Sequence, residues 1–147
     1  MHSKKLLFLL LFLSACSNKK TELLWGNALD KIGSQSSPKA TDINNDGVLD
    51  VIMGAGENEY QSSENGIIAL DGKTGELIWQ HESIDQVYGS ATLLDINADG
   101  IQDVFIGGRS NQFYALNGAT GENIWQWTYV YENEPKLKYA KYNFHNA

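Results

Sequence analysis

The sequence predicts an all-β fold made of about two four-stranded blades of a β-propeller, and two repeated patterns predict it. An Asp-rich pattern, D-I-N-N-D-G-V-L-D at residues 42–50, returns as D-I-N-A-D-G-I-Q-D at residues 95–103. A second pattern, A-L-D-G-K-T-G-E-L-I-W at residues 69–79, returns as A-L-N-G-A-T-G-E-N-I-W at residues 115–125. Each returns after about 45 to 55 residues, which is close to the length of one propeller blade. The chain therefore holds an incomplete ring of blades.

Each repeat contains four short segments with strand character, separated by turn residues. We predict strands at residues 37–43, 50–54, 66–70 and 76–80 in the first repeat, and at 90–96, 103–107, 112–116 and 122–127 in the second. The apolar runs at residues 51–53 and 104–106 are typical of strands covered on both faces. The predicted propeller segment spans residues 22–147, with an outer strand at 22–26, blades at 37–81 and 90–128, and the start of a third blade at 129–147.

The Asp-rich repeats offer the ligand set of a calcium loop, with oxygen-bearing side chains at positions 1, 3, 5 and 9 and a backbone carbonyl at position 7. The predicted ligands are Asp42, Asn44, Asp46, Val48 and Asp50 in the first loop and Asp95, Asn97, Asp99, Ile101 and Asp103 in the second. An EF-hand is excluded because position 12 holds Met53 or Ile106, where that motif needs a bidentate Glu. A metal-free hairpin of Asx turns is the remaining alternative. We expect calcium, because closely spaced carboxylates repel one another unless a cation neutralises them.

The second repeated pattern ends on a tryptophan, and a fragment of it precedes the first full copy. In D-G-K-T-G and N-G-A-T-G, an Asp or Asn and two glycines indicate a tight reversal between strands. A large indole at the end of the following strand buries on the order of 200 Å². We therefore predict blade-docking roles for Trp25, Trp79 and Trp125.

Residues 42–54 and 95–107 resemble FG-GAP (integrin α-type) propeller repeats, in which D-x-[DN]-x-D-G-x-x-D binds calcium between the first two strands of a blade. The A-x-[DN]-x-x-T-G-x-x-x-W segments resemble the docking motifs of PQQ-like, quinoprotein-type propellers. The two likenesses imply calcium as the cofactor and a binding or scaffold module as the function. The alternative is a fragment of a propeller enzyme, either a polysaccharide lyase or a PQQ-dependent dehydrogenase. The quinoprotein centre needs vicinal cysteines and basic ligands that this chain lacks.

The N-terminus predicts export and a lipid anchor. Residues 1–5 are basic and residues 6–15 form an apolar run, which is shorter than the roughly 20 residues that span a bilayer and so indicates a signal peptide. The run ends in Leu-Ser-Ala-Cys at residues 13–16. This segment resembles the lipobox of bacterial lipoproteins, which implies cleavage before Cys16 and acylation of this cysteine. Residues 16–21 are then a tether, and the expected location is the cell envelope, at the outer membrane. An ordinary secretory signal with an incidental cysteine is the alternative.

Composition narrows the function classes. The net charge of −7 argues against nucleic acid, whose phosphates attract basic surfaces. His81 and His145, the histidines outside the leader, belong to no triad or zinc spacing, so we predict no catalysis. Residues 57–65 form a polar insertion that the second repeat lacks, and we expect its Glu57 and Glu59 to be solvated. Because loops carry function on rigid scaffolds, this insertion is the candidate contact for a partner.

A third Asp-rich loop is expected near Lys141 and is not found, although residues 137–144 have the pattern of an inner strand. Even four blades need roughly 180 residues, so the chain cannot close a ring alone. We favour the N-terminal part of a larger propeller, and completion by oligomerisation is the alternative. The membrane is an expected partner through the lipid, while a protein or glycan partner is left open.

Overall fold

The structure, a computed structural model, describes residues 22–30 and 32–128, and its elements in this part of the chain are eight β-strands. Blade 1 consists of β1 (Lys39–Thr41), β2 (Asp50–Gly54), β3 (Ser63–Leu70) and β4 (Leu77–Ser83). Blade 2 consists of β5 (Thr92–Leu94), β6 (Asp103–Gly108), β7 (Gln112–Leu116) and β8 (Asn123–Thr128). Each blade is a four-stranded antiparallel sheet with its strands in chain order. The predicted all-β fold with two four-stranded blades is confirmed.

The strand bounds follow the predictions most closely in the middle of each blade. β2 and β7 span the predicted residues, whereas β4 continues to Ser83, which pairs with Ser63 at the start of a longer β3. β1 is shorter than predicted, because the chain leaves the ladder after Thr41 and the Ile43 N–H bonds the Asp50 carboxylate instead of a neighbouring strand.

The outer strand predicted at residues 22–26 is not found. These residues belong to neither sheet, because the described part of the chain offers no strand beside them with which to pair. The leader, the tether with Cys16, and the third blade predicted at 129–147 lie outside the described residues.

The main core lies between the two blades. On the blade 1 side, β2, β3 and β4 contribute a cross-strand row of Ile52, Ala69 and Trp79. On the blade 2 side, β6 and β7 contribute four buried side chains: Val104, Ile106, Tyr114 and Leu116. Ile52 and Val104 are fully buried, as expected for alternate side chains of strands that face a neighbouring sheet.

A second, smaller core covers the opposite face of blade 1. Ile68 and Leu70 from β3 pack there with Val51 and Met53 from β2. Leu29 and Ile32, which precede the first strand, cover them. The continuous apolar run at residues 51–53 is thus explained, since alternate residues of β2 enter different cores.

The connections place two kinds of loop at opposite ends of the blades. The Asp-rich loops (β1–β2, residues 42–49, and β5–β6, residues 95–102) and the turns (β3–β4, residues 71–76, and β7–β8, residues 117–122) share one end, because neighbouring strands run antiparallel. The β2–β3 and β6–β7 connections and the segment between the blades share the other end. Among residues 22–30 and 32–128, no helix has the length and apolar character needed to cross a membrane.

Candidate functional site

The two Asp-rich loops have the same backbone conformation. Asn45 and Ala98 at position 4 have φ values of 59°. Gly47 and Gly100 at position 6 have φ values of 85° and 88°, in the region where a side chain is strained and glycine is not. The loops therefore bend as the sequence predicts, and they bend alike.

Side-chain oxygens at positions 1, 3 and 5 accept backbone N–H groups of their own loop. In the first loop Asp42 accepts from Asp46 and Gly47 at 3.2 and 3.0 Å, and Asp46 accepts from Val48 at 2.8 Å. The Asn44 side chain also accepts from the Asp46 N–H, at 3.0 Å.

The second loop repeats this pattern with one change. Asp95 accepts from Ala98 and Gly100 at 2.7 and 3.0 Å, and Asp99 accepts from Ile101 at 2.8 Å. Asn97 accepts from the Asp99 N–H at 2.9 Å. The side chains at these positions thus point into the loop in both blades, and the carboxylates draw N–H dipoles toward them.

The carboxylate at position 9 has a role that the sequence analysis missed. Asp50 is completely buried, and its two oxygens accept from Ile43 N at 3.0 Å and from Gly72 N at 2.9 Å. It therefore ties its loop to the β3–β4 turn of the same blade. The signal that was available is that position 9 starts a buried strand, where a lone carboxylate needs donors.

Asp103 does the same in blade 2. It is also completely buried, and it accepts from Ile96 N at 2.9 Å and from Gly118 N at 3.1 Å. The link between the Asp-rich loop and the turn is therefore a repeated property of the blade.

One side chain organises each of the turns at residues 71–76 and 117–122. Asp71 Oδ1 accepts from the N–H groups of Lys73 and Thr74, and Asn117 Oδ1 accepts from the corresponding groups in blade 2 at 3.0 Å. The Thr74 N–H bond is the largest cause that holds the pKa of Asp71 below its ordinary value of 3.8. The turn thus accepts a charged or a neutral side chain at this position.

The turns also contact the Asp-rich loops through side chains. Asn44 donates to Asp71 at 3.1 Å in blade 1, and Asn117 donates to Asp99 at 3.2 Å in blade 2. The pKa of Asp99 lies below its ordinary value of 3.8, chiefly because it accepts from the Ile101 N–H and then from Asn97. This carboxylate is therefore ionised at neutral pH.

Whether these loops suit a metal ion can be judged from the atoms that would coordinate it. Every predicted side-chain donor is an oxygen atom of Asp or Asn, which is the chemistry that calcium selects. Within residues 22–30 and 32–128, however, no group of three or more His, Cys, Asp or Glu side chains is arranged to hold a metal. Backbone N–H groups bond both oxygens of the carboxylates at positions 1 and 9 and one oxygen of the carboxylate at position 5. Each carboxylate oxygen has a second lone pair for another partner. The residues fit calcium by chemistry and spacing.

Two of the three predicted docking tryptophans pack on the glycines of a turn. Trp79 of β4 donates from Nε1 to the Gly118 carbonyl at 2.8 Å, and a Cβ on Gly121 would lie 2.7 Å from its ring. Trp25 donates to the Gly72 carbonyl at 2.8 Å, and a Cβ on Gly75 would lie 2.4 Å from its ring. Each tryptophan thus seats on the turn of the blade that follows it in the chain.

Trp125 occupies the same position in blade 2 and is 45% exposed, whereas Trp79 is 7% exposed. Its ring stacks on Phe113 at 5.8 Å and lies tilted against Phe105 at 6.2 Å. In the described part of the chain, no turn receives it.

The insertion expected to be solvated is partly fixed to blade 2. Glu59 forms an ion pair of 2.9 Å with Arg109, and the guanidinium lies 4.7 Å from the ring centre of Tyr60 and 5.2 Å from that of Tyr88. The Tyr88 hydroxyl is the largest cause that lowers the pKa of Glu59 from its ordinary value of 4.5, with Arg109 adding to it. Sequence reasoning missed this contact, although Arg109 is the only arginine in the chain. Glu57 lies on the surface.

His81 lies in a cleft between the blades. Its Nδ1 is 3.0 Å from the Gly121 carbonyl, and its ring meets Tyr114 edge-on at 5.5 Å. Since a carbonyl only accepts, Nδ1 carries the proton. The cleft has a volume of about 340 Å³ and polar side chains from both blades line it. His145 lies outside the described residues.

Comparisons with known proteins add little beyond the fold. No protein-family model and no curated protein matches the chain. Among solved structures the chain is similar to the crystal structure of BamB from Moraxella catarrhalis, with 22% identical residues and a TM-score of 0.40. The similar region covers 58% of this chain and 22% of the BamB chain, so it spans less than a quarter of that structure.

Proposed function

We propose that this chain is a calcium-stabilised β-propeller module without catalysis of its own, which serves as a binding or scaffold surface at the bacterial cell envelope. One observation supports it above all: both blades carry the same unit of Asp-rich loop, buried carboxylate and docking turn. A unit repeated in this way builds a rigid frame, and rigid frames present loops to partners.

Calcium belongs to the proposal as a stabilising ion. The side chains of Asp42, Asn44 and Asp46, with the ninth carboxylate and the carbonyl of position 7, would hold it in the first loop, and their counterparts would hold it in the second. When bound, the ion neutralises carboxylates that repel one another. Six of the 18 acidic residues lie in the two loops, so two ions would offset much of the negative charge.

Titration calorimetry and thermal unfolding in calcium or in chelator test this part. With a Kd on the order of 10⁻⁴ M, as in extracellular calcium modules, about 5 mM calcium stabilises the fold by about 2 kcal/mol per ion. Asp46→Asn in the first loop should weaken binding, since position 5 loses its charge. Asp71→Asn is the matched control, because blade 2 has Asn117 at that turn position. Absence of both binding heat and a rise in Tm would refute calcium.

The anchor is proposed to be a lipid on Cys16, from the lipobox-like residues 13–16. Intact mass spectrometry of the protein extracted from bacterial membranes measures it directly. The expected mass is that of the chain from Cys16 plus its acyl groups. A Cys16→Ser variant should leave the membrane fraction, and recovery of that variant in the membrane at the wild-type level would contradict the anchor.

The proposed partner contact is the insertion of residues 57–65. Arg109 fixes its Glu59 and Tyr60 against blade 2, so the loop is presented in one conformation and loses little entropy on binding. Pull-down of glycans and envelope proteins by the purified chain, compared with a variant in which the insertion is shortened, tests this role. Turnover of a polysaccharide or alcohol substrate without any retained partner would instead favour an enzyme.

A further inference from the structure

The side of blade 2 that faces away from blade 1 repeats the face with which blade 1 packs on its neighbour. In blade 1 a cross-strand row joins Ile52, Ala69 and Trp79. In blade 2 the same register joins Phe105, Ala115 and Trp125. We call this second row and its neighbours on that side of the sheet the outer face. Its Trp125 is almost half exposed.

The contact between the two blades shows what such a face binds. The blade 1 row packs against a surface of blade 2 that pairs Val104 with Leu116 and Ile106 with Tyr114. At its end, the Trp79 indole N–H bonds a carbonyl of the second turn. An outer face therefore packs against an apolar surface formed by the two middle strands of a blade, beside a turn that contains a Thr-Gly pair.

This same chain carries another surface of that kind. On blade 1, Val51 pairs with Leu70 and Met53 pairs with Ile68, in the register of the four blade 2 residues just described. We call this surface the front face. Beside it lies the turn of residues 71–75, whose glycine has a φ value of 76°, against 71° in blade 2. The front face thus has the shape and chemistry that a tryptophan-bearing row binds.

The front face is covered by a segment that is loosely held. Leu29 and Ile32 lie on the front face and Trp25 lies on the turn beside it. Residues 22–30 and 32 belong to no strand, and the next residue, Gly33, forms only an isolated bridge. Leu23 and Leu24 in this segment are 85% and 87% exposed. A segment with so few buried side chains opens at a low free energy, compared with a sheet.

We propose that the outer face of blade 2 binds the front face of blade 1 in a second copy of this chain, with Trp125 replacing Trp25 on the turn. A second copy is the occupant because one chain supplies both halves of the contact, and the contact between its own blades serves as the template. This association is head-to-tail, so it closes when the blades complete a ring. With the two blades that residues 32–128 form in each copy, two to four copies give four to eight such blades, the range that propellers occupy.

Sedimentation velocity of the full chain in mild detergent, over a wide range of protein concentration, tests the proposal. The wild type should form a discrete species of two to four copies. Trp125→Ala, at a position that is 45% exposed, should sediment as a monomer, and circular dichroism checks that the variant is folded. Ile84→Ala removes another side chain that is 52% exposed and should behave as the wild type. A monomeric wild type, or a Trp125→Ala variant with unchanged association, overturns the proposal.

Two more variants separate this contact from general stickiness. Trp25→Ala should strengthen association, because it frees the front face. Gly75→Ala should prevent it, since the added Cβ takes the space of the indole ring, and circular dichroism checks that the variant is folded. A mixture of the Gly75→Ala and Trp125→Ala chains should form heterodimers, because each retains the half that the other lacks. Weaker association of Trp25→Ala, or no heterodimer from folded variants, also contradicts the proposal.

Two further outcomes concern other occupants and the calcium loops. Hydrogen exchange that finds the outer face protected in a monomer would assign it to residues 129–147 of the same chain and overturn the proposal. The inference rests on the propeller-like scaffold of the proposed function but needs no calcium. The same sedimentation in chelator therefore distinguishes the two, because association that persists there supports this contact even if calorimetry refutes calcium.

Discussion

Replacing Trp79 with alanine tests whether the tryptophan contact holds the two blades together. The Trp79 side chain is only 7% exposed. Burying an indole surface of roughly 200 Å², at about 25 cal/mol per Å², corresponds to about 5 kcal/mol of transfer free energy. Measured losses for buried tryptophans are about 3 to 5 kcal/mol. We expect a loss of about 4 kcal/mol in the free energy of unfolding, which is a large part of the stability of a small domain.

The matched comparison is Trp125→Ala. This indole has the same place in its strand but is 45% exposed, so roughly half of the area counts, and the expected loss is about 2 kcal/mol in a single copy. Trp79→Phe separates packing from hydrogen bonding. This variant keeps most of the apolar contact but removes the N–H that donates to the Gly118 carbonyl. The loss of this hydrogen bond should lower the free energy of unfolding by about 1 kcal/mol.

Urea unfolding followed by far-ultraviolet circular dichroism measures these differences without relying on tryptophan fluorescence. Low protein concentration keeps association from contributing to the result. Equal losses for Trp79→Ala and Trp125→Ala would refute the reasoning, because the two sites differ in burial and not in sequence pattern. A loss of less than about 1 kcal/mol for Trp79→Ala would show that the blades are stable separately.

Three other substitutions probe the turns and the insertion. Asp50→Ala leaves the buried Ile43 N–H and the part-buried Gly72 N–H without an acceptor and should cost about 3 kcal/mol in urea unfolding; a change near zero would contradict its linking role. Asp71→Asn should leave the Tm almost unchanged, since Asn117 supports the same turn in blade 2, whereas Asp71→Ala should lower it. In Tyr88→Phe, the pKa of Glu59 measured by NMR should rise toward 4.5, because its largest lowering contact is removed. In the wild type the folded pKa is lowered, so Glu59 stabilises the fold above pH 4.5 and this contribution disappears as the pH falls through the folded pKa; an unchanged pKa in the variant would disprove the contact.

The sequence predicted the features that depend on residues close together in the chain. The Asp-rich loops bend at Gly47 and Gly100 as expected, because a positive φ is a local property that a glycine in the sequence predicts. β2 and β7 were predicted residue for residue, because an apolar run between two turn signals has clear ends.

Features that depend on distant residues were not predictable from one sequence. The ion pair of Glu59 with Arg109 joins residues in different blades, and no local pattern marks it. The extension of β4 to Ser83 depends on its partner Ser63, and the predicted strand at residues 22–26 fails for lack of such a partner. The buried state of Asp50 belongs to the same class, because only the packed turn supplies its second donor.

One glycine in each turn connects the Asp-rich loop to the tryptophan. The Gly72 N–H bonds Asp50 and the Gly72 carbonyl accepts from Trp25, and Gly118 does the same between Asp103 and Trp79. A Cβ on either glycine would come within 1.8 or 2.0 Å of a backbone oxygen in the loop, so no larger residue fits. If the proposed calcium ion steadies the loop and thereby favours the seated indole, thermodynamic reciprocity requires that a seated indole raise the affinity of the loop for calcium by the same factor.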